Sequence, residues 1–424
     1  AEYLRIERAW LNLYHGGSAR AEFDQHAFFD NVVVATRYIG PMTSPEEAPA
    51  DAGQAASVAA TVSIPAAATV PAPAAPSPDS ANRALSEATS TALGRAAAAL
   101  APGELAVFQR HGDSSGFSAA LLYDQAQRQY ITQFASKGLW DPVHHYVEFL
   151  GAGHHSIGRY LRYVEQENRW QVVAQYRASG GDRFSHGYEH HTLDPATGDI
   201  YRRVWRRAEF GRFDKITGEW RALPPAPVSY TKHASAIEFF PELDGFVFVD
   251  SKAGLWLFQI QTSTWKQLET PARLGLDDDN HLFAVYNPIH RSMLIGGGDR
   301  NRRTWLLDAR SVVREQARLP AEFGPRGGAV TADPVTGEFL AFGFRGAFLS
   351  WTPGDPAWVD RAQDLARHPA QYLPSGGGYF PAIVIPRYGV IMFIVANGDQ
   401  SSVLLYRHAA QEAVDSRAAV RSEQ

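Results

Sequence analysis

Residues 184–195, FSHGYEHHTLDP, set His186, Tyr188, His190 and His191 within a few positions of one another. Imidazoles titrate near neutrality and a phenol can give or take a proton, so this combination suits acid–base work. The next stretch, YRRVWRR, carries Arg202, Arg203, Arg206 and Arg207, and an earlier pair, His154 and His155, lies in GAGHHS. Guanidinium forks match carboxylates and sulfates. A zinc site drawing on His154, His155, His186 and one of His190 and His191 is also compatible, although no diagnostic ligand spacing is present. On a strand, alternation groups His186, Tyr188 and His190 on one side, which makes His190 the metal candidate of the adjacent pair.

The composition bounds what these groups can serve. The chain has 424 residues, 12% aromatic residues, a net charge of −5 and no cysteine. Disulfides, thiolate metal sites and cysteine nucleophiles are excluded, and with them a tyrosine–cysteine radical cross-link. The acidic balance argues against a nucleic-acid partner held by bulk electrostatics. No apolar run is long enough to span a bilayer, so no membrane partner is expected. AEYLRIERAW does not read as a basic-then-apolar leader, so the expectation is a chain that is cytoplasmic or already processed.

The elements that must position the cluster follow from a repeat. An apolar strand ending in X-Pro recurs as KGLWDP, HHTLDP, AIEFFP, FAVYNP, AVTADP and AIVIP, with prolines at Pro142, Pro195, Pro241, Pro288, Pro334 and Pro386. Each is followed by a turn and a second strand, and four units then place a tryptophan at a similar offset: Trp170, Trp220, Trp265 and Trp358. A period of about 47 residues with some four strands per unit marks an all-β fold, a β-propeller. The repeat gives six units. Residues 103–134 supply further strands, which either close the ring or complete a seventh blade. The propeller is expected over residues 103–410. Before it, residues 45–102 are an Ala/Pro-rich linker ending in a short helix stopped by Pro102-Gly103, and residues 411–424 a disordered tail. Residues 1–44 contain strand-like segments too few to fold alone.

In a propeller blade the start of the first strand and the end of the second open on the same face. Aligning the units on their prolines places His186, Tyr188, Lys232, His233, Asn280, His281, Arg326 and Tyr379 at first-strand beginnings. At second-strand ends it places His154, His155, Arg202, Arg203, Lys252, Asp299, Arg300, Arg345 and Asn397. The expectation is one cationic, imidazole-rich mouth that holds an anionic ligand, an acidic polysaccharide. Arg202, His233, Lys252, His281, Arg300, Arg326, Arg345 and Tyr379 would be its binding residues. The opposing reading is a solvated strand of arginines and histidines that merely satisfy local packing.

β-Elimination next to a uronic acid needs a cation at the carboxylate, a base for the C5 proton and an acid for the leaving oxygen. Tyr188, His186, His154 or His155, and Arg202 or Arg203 have the required types. Hydrolysis would instead favour a carboxylate pair, and Glu189, Asp250 and Asp299 are the main carboxylates nearby. The runs GLWDPVHHYVEFLGAGHHS, HGYEHHTLDPATGDIYRR and IPRYGVIMFIV…VLLYRH resemble the seven-bladed polysaccharide lyases that cleave ulvan and related rhamnose–glucuronate glycans. That resemblance implies seven blades, Tyr188 and Arg203 as catalytic residues with Arg202 as fallback, and His154 or His155 from the preceding blade. The chain departs from the family at FASKGLWDP, where Lys137 stands in place of a histidine. DNVVVATRYIGP resembles the final strand of a jelly-roll polysaccharide lyase or lectin domain. The resulting expectation is a secreted or periplasmic, monomeric polysaccharide lyase that needs no cofactor, a charge-neutralising calcium or zinc ion being compatible. The alternative is a non-catalytic glycan-binding propeller.

Overall fold

The computed structural model describes residues 89–153, 157–176, 187–205, 207–228, 235–276, 280–298, 301–321, 323, 328–343, 346–365 and 381–409. Residues 1–44, expected to resemble the end of a jelly roll, most of the expected linker and the expected tail lie outside these residues.

Six four-stranded antiparallel sheets follow one another. Blade I is Leu139–Asp141, Tyr146–Gly151, Gly158–Val164 and Arg169–Tyr176. Blade II is His191–Leu193, Ile200–Arg203, Phe210–Asp214 and Glu219–Leu223; blade III is Ala236–Phe240, Gly245–Asp250, Gly254–Gln259 and Thr264–Glu269. Blade IV is Leu282–Asn287, Ser292–Gly297, Thr304–Asp308 and Val313–Glu315; blade V is Gly328–Ala332, Phe339–Gly343, Phe348–Trp351 and Val359–Asp360. Blade VI takes Ala382–Ile385, Val390–Val395 and Ser402–Arg407, and its fourth strand is Glu104–Arg110 from the N-terminal side. The first strand of each blade packs on the first strand of the next all round, so the ring closes. This is a six-bladed β-propeller.

The seventh blade is therefore a correction. Residues 104–110 complete blade VI, pairing from Glu104↔Arg407 to Arg110↔Ser402. What remains between that strand and blade I is a four-residue helix, Ala119–Leu122, and a hairpin of two-residue strands, Tyr123–Asp124 and Gln129–Tyr130. Joining the two ends of the ring in one sheet leaves no open seam between first and last blades.

Two local rules explain the sequence period. At the X-Pro turns of blades I, II, IV and V, the side chains of Asp141, Asp194, Asn287 and Asp333 accept backbone N–H bonds from the residues that follow. Blades III and VI use short 3-10 turns, Pro241–Leu243 and Pro386–Tyr388, instead. Three residues after each proline the backbone is left-handed in all six blades: His145, Gly198, Asp244, Arg291, Gly337 and Gly389. Asx acceptors and left-handed residues are turn chemistry, which is why the signal is so regular. The tryptophans follow from pairing between third and fourth strands. Tyr163, Phe213 and Phe258 stand directly opposite Trp170, Trp220 and Trp265, with ring centroids 5.5, 5.4 and 5.0 Å apart. Such cross-strand aromatic pairs stabilise the outer edge of a blade.

The helix foreseen before the ring spans Ala92–Ala99, starting at Thr91, whose hydroxyl accepts from the Gly94 N–H. Leu93 and Ala97 are buried in the same core as Val403 and Leu405, and Arg407 donates to the Ala97 carbonyl. The helix thus packs as part of the propeller. Residues 111–138 then cross the face onto which the second-to-third-strand turns open. Tyr130 accepts from the Gly398 N–H of blade VI, and Asp124 accepts from the Ile157 N–H of blade I. Phe134 follows directly, at the channel.

Candidate functional site: the two ends of the central channel

At the end where the first strands begin, three rings from separate parts of the chain meet. Phe134 stacks on His281 of blade IV at 5.7 Å with the planes 16° apart, and both rings approach Tyr188 of blade II at 5.8 and 5.5 Å. His190 completes the group at 5.2 Å from Tyr188. Phe134, Tyr188 and His281 all have left-handed backbone, with φ of 59°, 38° and 63°. That conformation costs an L-residue on the order of 1 kcal/mol or more and is held only by its surroundings. Among the described residues, the phenol and the imidazole that meet here are buried. Tyr188 is 1% exposed and His281 7%.

Arg203 lies deeper. It is fully buried, and it donates to Nε2 of His190 at 3.0 Å, to the hydroxyl of Ser235 in blade III and to the Arg207 carbonyl. Its guanidinium lies over the Phe248 ring at 5.6 Å. Burial pulls its pKa down to about 10 while Asp250 pushes it up, so it is charged at neutral pH. Since a guanidinium only donates, Nε2 of His190 must be the acceptor. Arg203 therefore ties blade II to blade III. Arg202 pairs with His191 along the strand and is buried with it. His191 sits on the side of blade I, its Nε2 3.2 Å from the Lys137 carbonyl, and burial with Lys137 and Arg202 holds its pKa well below the usual imidazole range.

The physical reason is general to the fold. Both faces of a blade are covered by neighbours, so strand alternation sends side chains between blades rather than into a mouth. Asp250 caps its own turn, accepting from Lys252 and Ala253 N–H. Of the other sequence candidates, Lys252 and Asn397 are exposed. His154, His155, His186, Lys232, His233, Asp299, Arg300, Arg326, Arg345 and Tyr379 lie outside the described residues. Among the described residues no three His, Asp or Glu side chains converge as a metal site.

Midway along the channel is an ionic cluster that only the fold assembles. The Lys137 ammonium is 2.6 Å from Glu238 and 3.4 Å from Glu189, and it donates to the Ile237 carbonyl. Burial would depress Lys137, but the two carboxylates outweigh it and raise its pKa. Burial raises Glu189 to about 7, against the pull of Lys137 and with a push from Glu238. Lys137 and Glu189 stand out in the sequence as single unusual residues, but their partnership spans blades I, II and III and leaves no local signature.

Beyond the cluster the channel widens into a cavity of about 460 Å³ that opens at the X-Pro turns, with Lys137 and Glu238 as polar groups at its inner end. Trp140, Phe239, Tyr286 and Val330 line its walls, and Arg387 stands at its rim. This size and an apolar lining with few polar groups are typical of small-ligand sites. Val143, Ile289 and Val335, each directly after a turn proline, are exposed around this face. The sequence signal for this site was the X-Pro repeat itself, which marks where every inner strand ends.

No protein-family model matches the chain, and no curated protein matches it. Among solved structures it is similar to a chain of a nidogen/laminin complex, at 10% identity and TM-score 0.38, covering 57% of this chain and 82% of that one. It is also similar to a streptogramin B lyase, at 11% identity and TM-score 0.41, covering 62% of this chain and 76% of that one.

Proposed function

We propose that this propeller is a recognition module for an acidic, uronate-containing glycan, and that it binds its ligand without cleaving it. The observation that carries the choice is Arg203. Elimination requires a cation against the substrate carboxylate, whereas this guanidinium is wholly buried and held by His190, Ser235 and Arg207. Recognition is supported by the exposed Lys252 and Asn397, which follow the second strands of blades III and VI on the face where the inner strands begin. A charged side chain there would attract an acidic polymer despite the net charge of −5 on the whole chain.

The lyase reading keeps one supporting observation: the Tyr188 ring lies 5.2 Å from His190 and 5.5 Å from His281, which joins a phenol and imidazoles of the types that proton transfer needs. One experiment separates the two. The protein is incubated with ulvan, glucuronan and a neutral glucan, with binding followed by calorimetry and unsaturated uronate by ultraviolet absorbance. Saturable binding to the uronate polymers without new absorbance is the expected result. Growing absorbance establishes the lyase, and equal or absent binding to all three overturns both readings.

A further inference from the structure

We propose that the cavity at the X-Pro end of the channel is a second, separate binding site, for a small carboxylic acid with an apolar body of about one aromatic ring. The argument is charge complementarity inside an apolar enclosure. Of the charged groups lining the cavity, Lys137 and Glu238 neutralise each other at the inner end, 2.6 Å apart. All three ammonium protons of Lys137 face acceptors, the Ile237 carbonyl, Glu238 and Glu189, so none points to a ligand. Arg387 is different. It is exposed at the rim and donates to the His145 ring at 2.9 Å, and among the described residues it pairs with no carboxylate. Its neighbour His145 lies 3.7 Å from the buried Glu165 carboxylate, which leaves the exposed guanidinium itself to meet an anion at the opening.

The rim is also shaped for a flat molecule. His145 stacks with Trp140 at 6.1 Å and 28°, so guanidinium, imidazole and indole form a continuous edge leading inward. A carboxylate on Arg387 would place its attached ring beside Trp140 and against Phe239, Tyr286 and Val330. Bidentate pairing of carboxylate with guanidinium gives the direction of binding, and burial of the ring gives most of its strength. Glu238, whose side chain is 21% exposed, keeps acceptor capacity for a hydroxyl at the far end of the ligand.

The test uses the full chain with benzoate, benzyl alcohol and benzylamine as probes, followed by calorimetry and saturation-transfer NMR. Benzoate is expected to bind more tightly than benzyl alcohol, and benzylamine least. Arg387→Gln, a change at an exposed position, is expected to weaken benzoate roughly tenfold while leaving benzyl alcohol unchanged. Val384→Phe, which fills part of the cavity from a half-buried position, is expected to remove binding of both. The site is overturned if benzoate binds no better than benzylamine, or if either variant leaves benzoate affinity as it was. Glycan binding at the other end of the channel is untouched by these variants, so failure here leaves that reading standing.

Discussion

One channel runs through this propeller, and its two ends are built on different principles. Where the inner strands begin, residues 111–138 cross the face and bring Phe134 against Tyr188 and His281, with His190 and Arg203 packed behind. Where the inner strands end, six short turns leave an apolar cavity open, with the exposed guanidinium of Arg387 at the rim. Among the described residues, the chemically versatile Tyr188, His190, His281 and Arg203 are packed, while the end lined with proline, valine and tryptophan is open. Reactive residue types therefore mark a place where blades are joined as readily as a place where a ligand is met. What distinguishes the two is who else occupies the space.

The largest effect expected from this contrast is at Arg203. Arg203→Met removes a buried cation and leaves His190 and Ser235 without their donor, so urea unfolding should show a loss of about 3 kcal/mol. A change within about 0.5 kcal/mol, the range of ordinary surface substitutions, would return Arg203 to the mouth and break the comparison. Next comes the residue that closes the packed end. Phe134→Gly suits the left-handed backbone but loses its ring contacts, and a net cost of about 1–2 kcal/mol is expected by the same measurement. Amide exchange around Tyr188 should accelerate, and unchanged exchange would show that Phe134 is not the plug.

Glu189 sharpens the comparison at its midpoint. Its folded pKa, about 7, lies above its ordinary value of 4.5 because burial disfavours the carboxylate. The folded state therefore binds a proton that the unfolded state has released. The corresponding contribution to stability is complete below the ordinary value and is lost as pH rises through the folded one. Stability of the wild type relative to Glu189→Gln should fall between these two pH values, and parallel curves across the window would contradict the burial of Glu189. The smallest effect belongs to the open end. Val335→Ser, on the exposed apolar rim, should shift stability by no more than about 0.5 kcal/mol, and a larger loss would mean that this face is covered.

The parts of the fold legible in the sequence were those written locally. X-Pro turns with a left-handed residue three positions on recur in all six units, reinforced in four by Asx acceptors and in three by a tryptophan opposite an aromatic on the third strand, so six units could be counted. The seventh came only from resemblance, and the closing pairing of Glu104–Arg110 with Ser402–Arg407 joins segments too distant for any local pattern to reveal. The site was less legible for a related reason. Residues 202 and 203 read as neighbours at one mouth, yet Arg202 is buried with His191 on the side of blade I and Arg203 with Ser235 of blade III. The Lys137–Glu189–Glu238 cluster needs three blades to exist. Arg387 was hidden in plain composition, since nothing about IPRYG distinguishes a guanidinium at a cavity rim from one on an ordinary turn.

The measurement that bears most directly on the account compares Tyr188→Phe with the wild type, by urea unfolding and by ultraviolet absorbance on uronate glycans. A packed Tyr188 predicts no unsaturated product from either protein and at most a modest shift in stability, since the ring contacts survive the loss of the hydroxyl. Product formation by the wild type that disappears in Tyr188→Phe at unchanged stability would contradict it, and would make the closed end of the channel the working end.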